Sequence, residues 1–525
     1  MGSPASSPTP TLQLLVDEAL RISRMIRMRR GPPPTLYMQG EPVDVEGLDE
    51  EKPYISVAGV APGTGFDAAV ARLVRGVSPV VPVRRYYAVD GGHRVLEFTD
   101  LTVVVSSVAV GYEGGLVVGA TYPDSGAWPY LGLSEPEKLP PLSAGPLSGG
   151  GLRFVATRPL ADPSVFVDVK GVSDPRVRGY FGSLTYGCGY SRQTMADENR
   201  TLLENAALAW CIGRDGGGAV LVDGPLYMVP GGLVAYFMGS GGFRSGYYEL
   251  KRAYYLATYM RLVADRAYYV AAALESEVPV IGVVKRLVNS RLLVKGLVSC
   301  GVLPDTAVRD IELVEYMVRR YSRSGPGVYL VGPVMVVLNA LDVLRRALAP
   351  PGSGVRGSGT LSMFVNLHRP LYRDRVSLYD VEKRLERAGS IITGVEGVIA
   401  KRIYYLYVRG LLGSTRLLRL EFPWHAARDG SLTSGGDGGL RPSSLYRLLG
   451  EHVVERDVVL AAEVAYLLGF PEPRSVPAPL AVADRLAKGV AREAAWLLFQ
   501  VVSRVSTPTY STLVSMQGEG GGAAA

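Results

Sequence analysis

A chain of 525 residues, 47% hydrophobic and 20% charged, is too long for one minimal domain and too apolar to be disordered or fibrous. Its 56 basic and 49 acidic residues leave a formal charge of +7, compatible with a polyanionic partner but too diluted over this length to name one. Three cysteines without CxxC spacing (Cys188, Cys211, Cys300) exclude a disulfide framework and a zinc ribbon. Four scattered histidines (His93, His368, His425, His452) exclude an HExxH helix, so any metal must be held mainly by carboxylates.

In chain order, the first expected element is a helix over Thr11–Arg29, with Leu12, Leu15, Val16, Ala19, Ile22 and Ile26 at helical spacing. Five arginines crowd its end (Arg21, Arg24, Arg27, Arg29, Arg30), read as a solvated cationic face in preference to a phosphate site, and Pro32–Pro34 stop it. Met1–Pro10 is small and polar, unlike a signal peptide, and with so few cysteines the chain is expected to be cytoplasmic. Residues 1–77 are read as this helical segment and a linker.

From Ser78 the pattern turns to strands: Val80–Val89, Val95–Phe98, Leu101–Tyr112 and Leu116–Tyr122, the first ending in Asp90-Gly91-Gly92. A Pro/Gly/Ser-rich insertion covers about 123–192. Helical spacing returns from Thr194, with Asp197 at capping-box distance, and runs to Ile212. An apolar strand, Ala219–Asp223, then ends in Gly224-Pro225.

Further on, the sequence predicts a helix over Ser245–Ser276, a buried strand over Val278–Lys285, an amphipathic helix over Asp305–Arg320 and a strand over Val328–Val337 leading into another helix. A flexible insertion at about 349–360 follows, then strands Ile403–Val408 and Thr415–Phe422, a loop at 426–442, and helices Ser444–Leu468 and Pro479–Val505. Residues 506–525 read as a flexible tail. The two most lipid-like stretches are interrupted by Glu113, and by Pro333 and Asp342, and read as buried core.

Among the acids, Asp90 and Asp223 are the best placed, each following an apolar strand and preceding a glycine that admits close approach to the carboxylate. One Asp-Gly reads as a turn start; two of them leave a turn and a carboxylate pair around a divalent cation about equally favoured. Such a cation would bind a phosphate oxygen and activate water. Glu204 shares a polar helix face with Asp197 and Thr201, opposite Met195, Leu203, Ala206 and Trp210, and a solvated acid remains the simpler reading, with Asp197 and Glu198 as competitors for any ligand role. No P-loop is present, since Gly239–Gly246 lacks the lysine; no GxSxG elbow and no Rossmann fingerprint occur.

Five segments, Tyr87–Gly91, Glu204 with Val220–Leu226, Val278–Lys285, Arg419–Pro423 and Pro479–Lys488, stand in an order that resembles the NurA family of archaeal and bacterial DNA-repair nucleases. The resemblance spans roughly residues 78–500. It implies an RNase H-like α/β fold, a mixed sheet flanked by helices, forming one large domain over 78–505 with the insertions named above. It also implies a Mn- or Mg-dependent nuclease acting on single-stranded DNA and DNA ends. Members form homodimers around a DNA channel and work with HerA, a hexameric ATPase, in resecting double-strand breaks.

Carried onto this chain, the resemblance makes Asp90 and Asp223 metal ligands and Glu204 the intervening acid, with one or two ions per subunit. Lys285 becomes a cation for the scissile phosphate, although a solvent-facing lysine would look the same. Glu421, beside Arg419, is a supporting or merely superficial pair. Two positions depart from the family: Asp484 stands where a metal-site histidine is usual, and Gly92 where a serine follows Asp-Gly. Aspartate remains a hard ligand suited to Mg or Mn. The family's tyrosine near the site cannot be assigned among thirty. Two alternatives stay open, a catalytically inactive DNA-binding or HerA-regulating scaffold and an unrelated carboxylate-metal phosphatase.

Overall fold

The computed structural model describes residues 54–121, 192–227, 262–348, 378–432 and 454–520, with short breaks inside these spans. The expected N-terminal helix, both insertions and the starts of the 245–276 and 444–468 helices lie outside the described residues.

Among the described residues, ten strands form one mixed sheet: β1 (Tyr54–Val57), β2 (Val74–Val77), β3 (Tyr86–Glu97), β4 (Thr102–Tyr112), β5 (Gly115–Thr121), β6 (Ala219–Asp223), β7 (Val280–Val284), β8 (Gly327–Asn339), β9 (Val398–Arg409) and β10 (Thr415–Pro423). Their order is β1-β8-β9-β10-β7-β6-β3-β4-β5, with β2 also on β8. Strands β3, β4 and β5 are an antiparallel meander, and β6 and β7 continue from β3 in parallel. The expected α/β class and mixed sheet are therefore present, and this half is laid out antiparallel, then parallel.

Strand periodicity assigns the two faces of the sheet. Along β9, Tyr404, Leu406 and Val408 enter one core while Ile403, Tyr405 and Tyr407 enter the other. The first core is closed by helices Glu455–Leu467 and Ala478–Val502, through Leu460, Val464, Leu480, Ala483 and Ala487. The second is closed by helices Phe66–Leu73, Leu292–Ser299 and Asp310–Tyr321. Burying both faces explains why these strands are nearly continuous apolar runs.

Several expectations are corrected. Residues 54–77 are not a linker: β1 and β2 pair end to end with β8, antiparallel, and the helix between them is in the core. Of the expected strand Val80–Val89 only Tyr86–Val89 is strand: Val80, Val81 and Val83 are exposed and β3 begins at Tyr86. It then runs unbroken through Asp90-Gly91-Gly92, each paired with β4. The helix expected from Thr194 begins at Arg192, two residues before it. Ala426–Asp429 is a helical turn where a loop is expected, held by an ion pair from Arg402 to Asp429. The presumed tail carries a helix, Tyr510–Gly520, tied to the end of β3 by Thr509 N–H donating to Glu97 O (2.9 Å) and Glu97 N–H donating to Thr512 Oγ1 (2.8 Å).

The glycines of β3 are set by packing. A Cβ at Gly92 would lie 3.0 Å from backbone atoms of Ala487 and Lys488, and one at Gly111 on β4 would lie 3.1 Å from the Pro479 carbonyl. Small residues on both partners let the helix Ala478–Val502 rest directly on the strands, where Ser107 Oγ donates to the Ala487 carbonyl at 2.6 Å. Replacing Gly92 with valine should overpack this contact and lower unfolding free energy by about 1–3 kcal/mol in urea denaturation. An unchanged midpoint would show that the contact yields without cost.

Candidate metal centre

Strand register creates the site. Val89 pairs with Val222 in the parallel β3–β6 ladder, so Asp90 and Asp223 follow as neighbours on the same face. Asp90 is buried in mid-strand, 2% exposed, whereas Asp223 ends β6 and is half-buried. Gly224, with φ of +89°, turns the chain away there, and its amide donates to Val283 O (2.9 Å). One residue beyond β7, Lys285 reaches back to the same place.

The third carboxylate comes from above the sheet. Asp90 shares its strand face with Gly92, the face covered by the helix Ala478–Val502, and that helix lowers Asp484 onto the pair. Oxygens of Asp90, Asp223 and Asp484 all lie within 4.8 Å of one another. Lys285 Nζ sits among them, 2.8 Å from Asp223, 3.4 Å from Asp90 and 3.9 Å from Asp484. Lys488, one helical turn after Asp484, approaches it at 2.6 Å.

The electrostatics follow from this crowding. Burial, then the neighbouring Asp223 carboxylate, push the Asp90 pKa well above the usual range, with Lys285 opposing. For Lys285, burial works against the charge, but Asp90 and Asp223 outweigh it and raise its pKa. For Asp484, burial is likewise outweighed, here by Lys488 and Lys285, and its pKa falls. An all-oxygen carboxylate set, needing cationic charge at its centre, fits a hard divalent ion such as Mg or Mn.

Glu204 is near this cluster but outside the three. It approaches β3 from the opposite face, where Gly91 has no side chain: a Cβ there would lie 2.7 Å from Glu204 Oε1 and 2.3 Å from Arg200 Cγ. The helix face expected to be solvated is therefore buried, Thr201 included. Burial raises the Glu204 pKa, against the pull of Arg200 (3.8 Å) and Arg266 (3.4 Å). Arg266, 1% exposed, also donates to Asn205, whose Nδ2 donates to Leu262 O at 3.1 Å. Asp197 and Glu198 belong to the same helix.

Glu421 is fully buried, not superficial. Lys401 Nζ (2.7 Å) and Arg419 Nε (2.9 Å) pair with it, and the Leu226 amide donates to it at 2.7 Å. Burial alone would raise its pKa, but Lys401 and Arg419 hold it low. Its role is to anchor the turn that leaves Asp223. Arg200 and Lys488 were within reach of sequence reasoning, each four residues from an acid on the same helix. Arg266 was not, being separated from Glu204 by 62 residues.

A mixed sheet that brings two carboxylates and a lysine together beneath a third carboxylate from a covering helix defines an α/β protein with a candidate carboxylate metal site. The family model for the NurA domain matches residues 84–488, and the chain belongs to the NurA family. Among solved structures it is similar to the NurA nuclease from Sulfolobus solfataricus, at 11% identity over 84% of this chain and 89% of that one, with a TM-score of 0.35. It is similar also to NurA with manganese (12% identity, 83% and 93% covered, TM-score 0.32) and to NurA bound to dAMP and manganese (11%, 74% and 89%, 0.26). No curated protein matches. Among the described residues, no helix is long and apolar enough to cross a membrane.

Two expectations follow. Because Asp90 holds a proton to higher pH than an ordinary aspartate, metal binding should displace it; Mn affinity should rise with pH through and above the ordinary carboxylate range. Calorimetry in buffers of different ionisation enthalpy reads the proton release, and pH-independent affinity without release would contradict the raised pKa. Separately, Arg266→Met strips a buried carboxylate of its fully buried partner and should cost roughly 3–5 kcal/mol of stability, much of it recovered by adding Glu204→Gln. Urea unfolding of the single and double variants measures both.

Proposed function

We propose that this chain is a metal-dependent DNA nuclease that cuts single-stranded DNA and processes DNA ends. The observation that carries the reading is the meeting of Asp90, Asp223 and Asp484 around the Lys285 ammonium, in a chain of the NurA family. These three carboxylates would hold Mn or Mg, one ion or two per subunit. When bound, the ion supplies a Lewis acid for a phosphate oxygen and lowers the pKa of a water nucleophile.

The chain's own residues do the rest. Asp90, rigid in mid-strand, and Asp223, at the strand end, fix two of the donor positions from the sheet, while Asp484 completes the set from the helix. Lys285, near all three, is placed to turn its ammonium toward the phosphate and offset charge developing there. Glu204, within electrostatic reach of Asp223, acts from behind β3 on the charge of the cluster. In the cell, this reading makes the chain a homodimer that works with a HerA-type hexameric ATPase in resecting double-strand breaks, in the cytoplasm.

A labelled single-stranded oligonucleotide incubated with Mn tests the reading. Cleavage is expected for the wild type and should fall by about three orders of magnitude or more in Asp90→Ala, as loss of the metal's charge stabilisation implies. DNA binding without cleavage by either protein would make the chain a scaffold, and turnover of a phosphomonoester in place of DNA would make it a phosphatase.

A further inference from the structure

The helix Ala478–Val502 has two faces. Ala483, Ala487, Ala491 and Ala495, four residues apart, are buried at 0–1% exposure, those nearest the metal cluster lying against the sheet. A second face, turned about 120° from the first, carries Arg485, Lys488, Arg492 and Trp496. At 100° per residue these four fall within an arc of about 80°, forming a single stripe about 16 Å long at 1.5 Å rise per residue. All four are exposed, Lys488 with 62% of its side chain and Trp496 with 43% of its surface.

The stripe has three properties that together select its occupant. Its four residues comprise three cations and no acid, and among the described residues no ion pair joins Arg485 or Arg492, so those two charges are available to a polyanion, while Lys488 is shared with Asp484 (2.6 Å). It is continuous with the metal centre, because Lys488 contacts Asp484 itself. It also ends in an aromatic ring held in place: Trp496 stacks on Phe499 (centroids 6.1 Å, planes 24° apart), which packs in turn on Phe98, the residue after β3 (6.2 Å). Cations for phosphates followed by a fixed, exposed indole for a base are the two components of a single-strand binding track.

We propose that this face of the helix binds the single strand next to the scissile phosphate, with Lys488, Arg485 and Arg492 on successive phosphates and Trp496 stacked on a base. The proposal rests on the nuclease reading above and adds to it the path by which the strand leaves the cluster. A stripe of cations also answers an electrostatic need, since a phosphodiester must approach three carboxylates. The stack on Trp496 would tolerate any base, so the track predicts affinity without sequence preference.

The test uses the full chain, a labelled oligo(dT) and fluorescence anisotropy without divalent ions, alongside Mn-dependent cleavage by the wild type. Trp496→Ala should weaken binding roughly five- to hundredfold, and Trp496→Phe should restore most of it by keeping a ring. Arg485→Ala with Arg492→Ala should make the plot of log affinity against log salt shallower by about 1.4, the value for two lost single-strand phosphate contacts. Mn affinity of Arg492→Ala and Trp496→Ala should stay at the wild-type value, showing that the cluster is intact. If the wild type cleaves while the variants bind like it, the track is overturned and the nuclease reading stands. Variants that bind normally but lose self-association in sedimentation would overturn it in favour of a contact between copies of the chain. A wild type that neither binds nor cleaves would overturn both.

Discussion

Three carboxylates within 4.8 Å of one another repel, and the rest of this structure exists in relation to that repulsion. Each acid is held by an element that cannot retreat: Asp90 by ladders on both sides of β3, Asp223 by the end of β6, and Asp484 by a helix seated on two glycines. Two ammonium groups, Lys285 and Lys488, face the three acids and leave one excess negative charge. A divalent cation would reverse that sign by the amount that one phosphodiester brings. On the nuclease reading, the cluster would therefore be balanced in a complex of ion and phosphate.

The same constraint explains what surrounds the site. Glu421 adds a fully buried acid, but one neutralised by Lys401 and Arg419, and its remaining bond to the Leu226 amide stiffens the turn after Asp223. Glu204 adds another, kept across the strand and met by Arg200 and Arg266. Acids that build the scaffold are each given guanidinium or ammonium partners of their own, while the three that meet must share theirs. Buried ion pairs contribute little net stability. Their effect here is to fix where the backbone at Gly91 and Gly224 can lie.

How much of this could be read from residues depends on whether the signal is local. Asp223 followed by Gly224 was legible, because an apolar strand stopping at a glycine with positive φ is written in consecutive positions. Asp90 was recognisable as an acid on an apolar strand, but its Gly-Gly sequel reads as a turn when it is a site of close approach on both faces. Glycine carries the same letter for both purposes, and only the neighbours distinguish them. The helix face of Glu204 looked solvated for a similar reason: the polar stripe of Thr201 and Glu204 points inward at partners far along the chain. Strands β1 and β2, four residues each, are too short to show alternation. The 510–520 helix hides behind a composition poor in large side chains, though two threonines fasten it to β3.

The departure at Asp484 can now be weighed physically. Where the resemblance would put a neutral imidazole, an aspartate adds a full negative charge to a cluster already holding two. Taken alone, that exchange would increase the repulsion and favour protonating one acid. Lys488, one turn further along the helix and 2.6 Å away, supplies the opposite charge, and Asp484 is held ionised as a result. The pair therefore replaces histidine with a donor of equal net charge but purely oxygen chemistry. On the nuclease reading, such a change would narrow the choice of ion toward hard cations. On that reading, the same exchange would put a lysine beside the phosphate's path, joining the aspartate and the cationic face of the helix in one arrangement.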